Sequence, residues 1–489
     1  MDIRTFVLLL VSAGLVHTVV TACDYGWFGP NCEYKCHCGS TGLCDVNGSC
    51  EENCESGWFG PACQYQDLAD ANILTTTPTK PALYLTDQDD NSCVDNITQI
   101  AVHLDDENIT TIFSWLRIKF LTTDMSTRTM SLAFQSPDQS NLVECPDLQN
   151  FMIDHRTRDL HCYRTGISSY VYILFNSSTT VCTLHISGGR NVALKQQALL
   201  SSVFNNHTKY GASNAVDGVL INNCKKYGCA FTETNATKPT LIIKLSIPAL
   251  IYRSRFYSGL YTLGNNNYFQ EGINYKKLNS DGIVSIEFDS EIQFVDLLFT
   301  YAREFKEPTA SISISNSNSH LANGSFIIFR EVELYGESDC FDGTYGLGCL
   351  KTCNCKIRGE TCFVSTGSCP SGCPLGYQGE GCKQICDPGY FGTNCLQKCG
   401  DTCRDVLCHH LTGHCIRCHP GHYGDTCELR CSDHCAGDRM CDVNGTCLYG
   451  CTDGYHDDKC LFGEVKHLSS SHVSQTLPVM GYESVYNTS

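Results

Sequence analysis

The sequence predicts a mainly β chain in which two β-sandwich domains are flanked by disulfide-rich repeats. Two observations predict it. Cysteine is crowded at both ends: of 36 in 489 residues, 8 lie in Cys23–Cys63, 6 in residues 64–339 and 22 in Cys340–Cys460. The cysteine-poor middle alternates apolar, β-branched and aromatic runs with clusters of Asn, Ser, Gly and Asp, the pattern of short strands joined by turns. So much cysteine argues against a reducing compartment. Lys+Arg is 34 against 52 for Asp+Glu, a formal net charge of −18. Without a basic block, nucleic-acid binding is excluded, because phosphate neutralisation needs clustered Lys and Arg.

Met1–Arg4 is a short charged start, Thr5–Val20 is apolar, and Val20-Thr21-Ala22 places small residues before Cys23. Residues 1–22 therefore read as a cleaved secretory signal; the alternative, an uncleaved anchor, has a short apolar stretch that holds His17. No later segment suffices for a span: the best, Thr240–Tyr252, is 13 residues and carries Lys244. The expected mature chain is secreted, extracellular and without a membrane span. Nine Asn-x-Ser/Thr sequons, at Asn47, Asn96, Asn108, Asn176, Asn206, Asn235, Asn323, Asn444 and Asn487, are expected glycosylation acceptors on such a chain.

A Cys-x8-Cys spacing recurs seven times: Cys23–Cys32, Cys54–Cys63, Cys340–Cys349, Cys373–Cys382, Cys386–Cys395, Cys418–Cys427 and Cys451–Cys460. Six enclose Gly-x-x-Gly with an aromatic, as in Gly26-Trp27-Phe28-Gly29; the seventh has Asp457 at the second glycine. Cys36, Cys38, Cys44 and Cys50 complete the first region. All are expected in disulfides, with connectivity left open by spacing alone. Units this small bury too little apolar surface to offset chain entropy, and each short-loop disulfide adds about 2–3 kcal/mol. These segments, 23–66 and 338–460, resemble the EGF-like and laminin-type EGF-like modules of the multiple-EGF-like-domain and scavenger-receptor families.

Two chemical lookalikes are read as structural. The run Cys408-His409-His410, His414-Cys415, Cys418-His419 imitates a zinc site, but its cysteines occupy repeat positions and are expected in disulfides. Asp45-Val46-Asn47-Gly48 and Asp442-Val443-Asn444-Gly445, in the same repeat slot, read as turns.

The middle divides near Gly188-Gly189. Asn191-Val192-Ala193-Leu194, then Ala212-Ser213-Asn214-Ala215-Val216-Asp217-Gly218, Cys229-Ala230-Phe231-Thr232 and Arg330-Glu331-Val332-Glu333-Leu334-Tyr335-Gly336 form an ordered series that resembles the F-type lectin (fucolectin) module, a jelly roll. The resemblance covers 189–337. Residues 67–188 resemble a degenerate second copy, through Trp115-Leu116-Arg117-Ile118-Lys119-Phe120 and Val181-Cys182-Thr183-Leu184-His185-Ile186. Residues 461–489 are Ser-rich, lack cysteine and are expected to be a disordered tail.

The resemblance implies a fucose site of one His and two Arg. Here the His position is Phe231, the first Arg is Ile242 with Lys244 at its neighbouring Asp, and the second Arg falls near Ala249. In the first copy Arg117 remains, but Lys119 replaces the Asp. No carbohydrate is therefore expected in the usual pocket. The family's structural calcium would fall on Asn214, Asp217 and Glu331, with Val219 in place of a following Asn; a weakened calcium loop stands against a plain tight turn. No other cofactor is expected. Cys224–Cys229 is expected as a local bridge, and Cys93, Cys145, Cys162 and Cys182 can pair within the first copy.

No Gly-x-Ser-x-Gly, His-Glu-x-x-His, P-loop or kinase set occurs, so no enzyme is expected. The expected function is extracellular recognition or adhesion, scavenger-receptor-like binding of protein or glycan ligands through both module types. The layout also resembles the ectodomains of some receptor-type tyrosine phosphatases, which makes a secreted or truncated form of one the first alternative. A fucose-binding lectin is the second.

Overall fold

The computed structural model describes residues 23–463 apart from 71–72, 105–110, 122–128, 137–140, 163–166, 221–223, 235, 264–265, 270–273, 280–281, 288–293, 299–307 and 316–325. The expected signal segment 1–22, residues 464–489 of the expected tail, and the sequons Asn108, Asn235, Asn323 and Asn487 lie outside the described residues. The five remaining sequon asparagines, Asn47, Asn96, Asn176, Asn206 and Asn444, are exposed. The protein is mainly β, two sandwich domains with cysteine-rich repeats at either end. Contacts divide it into two compact units, one comprising Met1–Asp387 with Phe391–Gln397, the other Pro388–Tyr390 with Lys398–Ser489.

All 36 cysteines are in disulfides, none free. Four groups of six share one connectivity, first to third, second to fourth and fifth to sixth, as in Cys36–Cys44, Cys38–Cys50 and Cys54–Cys63. The same order recurs from Cys353, Cys399 and Cys431. Cys408, Cys415 and Cys418 are all bridged, so the zinc lookalike has no thiolate to offer. In the six Gly-x-x-Gly hairpins both glycines adopt φ between 76° and 97°, a region open to glycine and costly to other residues. Asp457 takes the same place with φ 85°, and its carboxylate accepts the Leu461 amide at 2.7 Å. The paired Asp-Val-Asn-Gly segments are turns in which Asp45 and Asp442 each accept two backbone amides.

In the first sandwich the strand order is Val143–Glu144, Met130–Gln135, Tyr170–Ile186, Trp115–Phe120, Thr157–His161 and Gln149–Met152, all antiparallel. Val94–His103 pairs with Tyr170–Ile186, and Ile73–Thr77 with Val94–His103. The long strand breaks register between Leu174 and Val181. Its first half therefore pairs with Met130–Gln135 and its second with Trp115–Phe120. Along Trp115–Phe120 the alternation sends Leu116, Ile118 and Phe120 into the core with Phe113 and Phe134, and leaves Arg117 and Lys119 on the other face. Cys93–Cys182 and Cys145–Cys162 staple this sandwich.

The second sandwich is built on Thr240–Ser258. Its first stretch pairs with Gln197–Leu200 and Thr309–Ser315, its second with Ile328–Ser338 and Phe294–Leu298. On Ile328–Ser338 the even residues Val332 and Leu334 enter the core. The odd residues Glu331, Glu333, Tyr335 and Glu337 form a polar ladder on the opposite face, and three of these, Glu331, Tyr335 and Glu337, are buried.

The joint between the sandwiches is held by the chain leaving the N-terminal cysteine-rich module. Gln66 exchanges backbone hydrogen bonds with Gly188 and Gly189, and Leu68 donates to Ile186. Asp67 accepts the Ile186 amide and meets His185 Nδ1 at 2.6 Å. Gly189 turns with φ 82°, and a Cβ there would lie 2.8 Å from the Gly336 backbone nitrogen. Gly189→Ala should lower chemical-denaturation stability of the first unit by at least about 1 kcal/mol, whereas Gly343→Ala, where a Cβ meets nothing within 4 Å, should cost only its backbone strain.

Candidate functional site

Of the sugar positions implied by resemblance, Phe231 and Ala249 are buried and apolar. Phe231 is fully buried and stacks on Phe204 at 4.3 Å, with Tyr210 and Phe326 at 6.0 and 5.8 Å and the Cys224–Cys229 bridge alongside. An apolar plug stands where a donor would be needed. Ile242 is a strand residue paired with Leu199 and Ser313, Lys244 points to solvent, and Ala249 is buried.

In the first sandwich, Arg117 makes a bidentate pair with Asp159 at 2.8 and 3.0 Å and reaches Glu380, from the cysteine-rich repeat, at 3.1 Å. Burial pushes the Arg117 pKa down, but Asp159 and Glu380 more than reverse this. Burial holds Glu380 up despite Arg117. His161 is buried beside this cluster and lowered well below its ordinary value, first by burial and then by Arg117, so it is neutral. Its ring meets Phe363 at 3.5 Å and Trp115 at 5.8 Å.

Trp115 is the meeting point of four modules. It packs against Phe59 and Tyr65 of the N-terminal repeat at 5.4 and 5.5 Å and against Phe363 of the following repeat at 5.8 Å. Its Nε1 donates to Glu337 of the second sandwich at 3.3 Å, and Tyr65 donates its hydroxyl to the Ser365 carbonyl at 3.0 Å. Sequence reasoning found Trp115 and Arg117 as motif residues but missed Tyr65, Glu337, Phe363 and Glu380. Their partners lie 222 to 300 residues away in the chain.

Of the sequence-predicted loop residues, the fold brings Asp217 and Glu331 together and places Asn214 apart. Glu331 accepts the Gly218 amide through both oxygens at 3.1 and 3.2 Å. Its pKa is pushed up to about 9 by burial, then by Asp217 and Glu333. Asp217 is also raised, chiefly by burial. The Asn214 amide nitrogen donates to the Lys209 and Cys229 carbonyls at 2.8 and 3.3 Å, bracing the neighbouring loop.

Beside this loop, the N-terminal module and the polar ladder enclose a cavity of about 70 Å³. Tyr34, Trp58 and Tyr335 supply aromatic walls, and Lys35, Arg190 and Glu333 supply charge. Lys35 Nζ donates to the Gly218 carbonyl at 3.1 Å. Glu333 Oε2 accepts the hydroxyls of Tyr257 and Tyr335 at 3.0 and 3.1 Å. His37 stacks on Trp58 and is neutral, its pKa lowered to about 3 by burial and then by Lys35. Arg190 is only 5% exposed; Nη2 donates to Ser338 Oγ at 2.7 Å, while Nη1 has no partner among the described residues.

No protein family matches the sequence, and no curated protein matches it. Among solved structures, the chain is similar to a fucose binding module from Streptococcus pneumoniae, at 16% identity over 31% of this chain and 97% of that one, with a TM-score of 0.25. A fucolectin from striped bass (Morone saxatilis) serum matches at 17% identity over 56% and 98%, with a TM-score of 0.23. The lectin domain of lectinolysin complexed with Lewis B antigen matches at 17% identity over 30% and 96%, with a TM-score of 0.24. At these values the likeness carries no inference about ligand.

Glu337 sets a pH dependence. It faces Arg190, Trp115, Ser365 and Tyr65, and burial raises its pKa above the ordinary 4.5 despite Arg190. The folded state then holds this proton more tightly than the unfolded chain, so the contribution to stability is full below about pH 4.5 and is lost as pH rises towards the folded value. Glu337→Gln should flatten the fall in unfolding temperature across that window. An unchanged slope in thermal melts of the full chain would refute the assignment.

Proposed function

We propose that this chain is a secreted, extracellular recognition and adhesion protein, scavenger-receptor-like in organisation, that captures protein or glycan ligands and performs no catalysis. The observation that carries this reading is the four-module junction at Trp115, which joins the two sandwiches to the N-terminal repeat and to the repeat of Phe363. Eighteen disulfides, from 36 cysteines with none free, and five exposed sequon asparagines support an oxidising, sugar-bearing environment. Among the described residues no helix is long and apolar enough to cross a membrane. Capture through the usual fucose pocket is not part of the reading, since Phe231 plugs one copy and Glu380 engages Arg117 in the other.

A calcium ion at Asp217 and Glu331 is a second proposal. Buried Glu331 and half-buried Asp217, in mutual contact, suit a hard cation with oxygen ligands; Asn214 does not join them. Calcium at about 1 mM, the range of extracellular modules, should raise the unfolding temperature of the wild-type chain but not of Glu331→Gln. No shift in the wild type removes this second proposal.

For the first reading, labelled full-length chain should bind cell surfaces saturably, and free fucose should leave binding unchanged. Absence of saturable binding to any cell type or matrix overturns it. The fragment 67–337 alone should be unsuitable as a probe, because it would expose Trp115, Arg190 and Glu337.

A further inference from the structure

An edge of the first sandwich carries a buried cation that the fold leaves without a counter-ion. Gln149–Met152 ends the strand order of that sheet and pairs only with Thr157–His161. Apart from that pairing, Gln149–Met152 makes no hydrogen bond among the described residues. An open groove of about 370 Å³ lies against this strand. Asn150, Phe151 and Met152 form one wall, and Pro370 and Leu396 of the cysteine-rich repeats belong to the other. Arg158 is the one charged side chain among the lining residues.

Arg158 is 4% exposed. Its guanidinium makes one hydrogen bond among the described residues, Nη1 to the Asp154 carbonyl at 3.5 Å, and no ion pair. Asp154 acts on it through its field, but Asp154 Oδ1 is taken by the Arg156 and Thr157 amides at 2.7 and 2.8 Å. Nε and Nη2 of Arg158 have no partner among the described residues, yet neither is sealed from solvent. Burial lowers the pKa to about 10 in spite of Asp154, so the group is charged at neutral pH.

Arg117 shows what this edge of a guanidinium does when it is filled. There Nε and Nη2 hold the two oxygens of Asp159 at 2.8 and 3.0 Å, the planar fork in which guanidinium meets carboxylate. Arg158 presents the same fork unfilled. It stands opposite Met152 in the ladder, one strand in from the edge. A strand added outside Gln149–Met152 would run two spacings of about 4.8 Å from it, a gap that an arginine and a glutamate side chain close between them.

The rest of the groove selects the carrier of the carboxylate. Phe151 is 7% exposed and gives its ring to His161 and Phe363 at 5.0 and 6.5 Å, so no flat aromatic face is left for a sugar ring. The open edge of Gln149–Met152 instead offers backbone donors and acceptors to an extended chain laid beside it.

We propose that this groove binds an extended segment of a protein ligand by strand addition to Gln149–Met152, with one acidic side chain of that segment held by Nε and Nη2 of Arg158. This rests on the recognition reading above and names the ligand class for one site within it.

The test is affinity selection on the full chain, read by mass spectrometry, with two pools of capped heptapeptides that carry Glu or Gln at the centre and Val, Thr or Ser elsewhere. The Glu pool should be retained about 10-fold over the Gln pool, as a charge-assisted pair requires. Arg158→Gln should remove that preference, backbone N-methylation of the retained peptides should abolish their binding, and D-glucuronate should not compete. Should Arg158→Gln fail to fold, Leu396→Glu decides: Leu396 is 36% exposed, and a carboxylate on that wall should remove the preference as well. Equal retention of the two pools, a preference that survives in folded Arg158→Gln or in Leu396→Glu, or full binding by N-methylated peptides each overturns the proposal. Competition by D-glucuronate assigns the groove to an acidic sugar and overturns it too. Saturable cell binding together with equal retention of the pools sinks this site and leaves the recognition reading standing. Retention of the Glu pool without any cell or matrix ligand does the reverse.

Discussion

The first unit depends on one arrangement: a single indole, Trp115, buried where four modules converge. An indole there brings a large apolar body and one donor that must be satisfied. The body takes Phe59, Tyr65 and Phe363 as neighbours, and the donor takes Glu337. No single module could bury this side chain, because each supplies only one wall. The N-terminal repeat and the repeat of Phe363 each bury only a small, sulfur-rich cluster of their own, and they add Phe59, Tyr65 and Phe363 to the indole. The sandwiches in turn gain cover for polar faces that would otherwise stand in water.

That cover explains why so much charge is buried on the outer face of the second sandwich. Glu331, Glu337, Arg190 and Arg253 are all at most 5% exposed. Burial alone would make such groups costly. The structure answers by mixing signs along adjacent strands, so that Arg253 and Arg255 approach the Tyr335 ring at 4.7 and 5.4 Å and Tyr335 donates to Glu333. Burial still pushes Glu331 and Glu337 towards their protonated forms. Breaking one member of such a set is expected to be felt by several others, since they share partners.

How much of this could be read from the chain follows from how local each signal is. Cys-x8-Cys with Gly-x-x-Gly is complete within ten residues, and the hairpin it specifies is what formed, down to Asp457 adopting the glycine conformation at φ 85°. The alternation along Trp115–Phe120 and Ile328–Ser338 fixes which residues face a core. It does not say what covers the other face. The boundary glycine Gly189 is legible as a break, yet its need for a missing side chain comes from Gly336, far along the sequence. Asp217 and Glu331 could be named together because an ordered motif carries both. Arg117 was visible as a motif residue, but its ion pair with Glu380 spans 263 residues, and no periodicity encodes that.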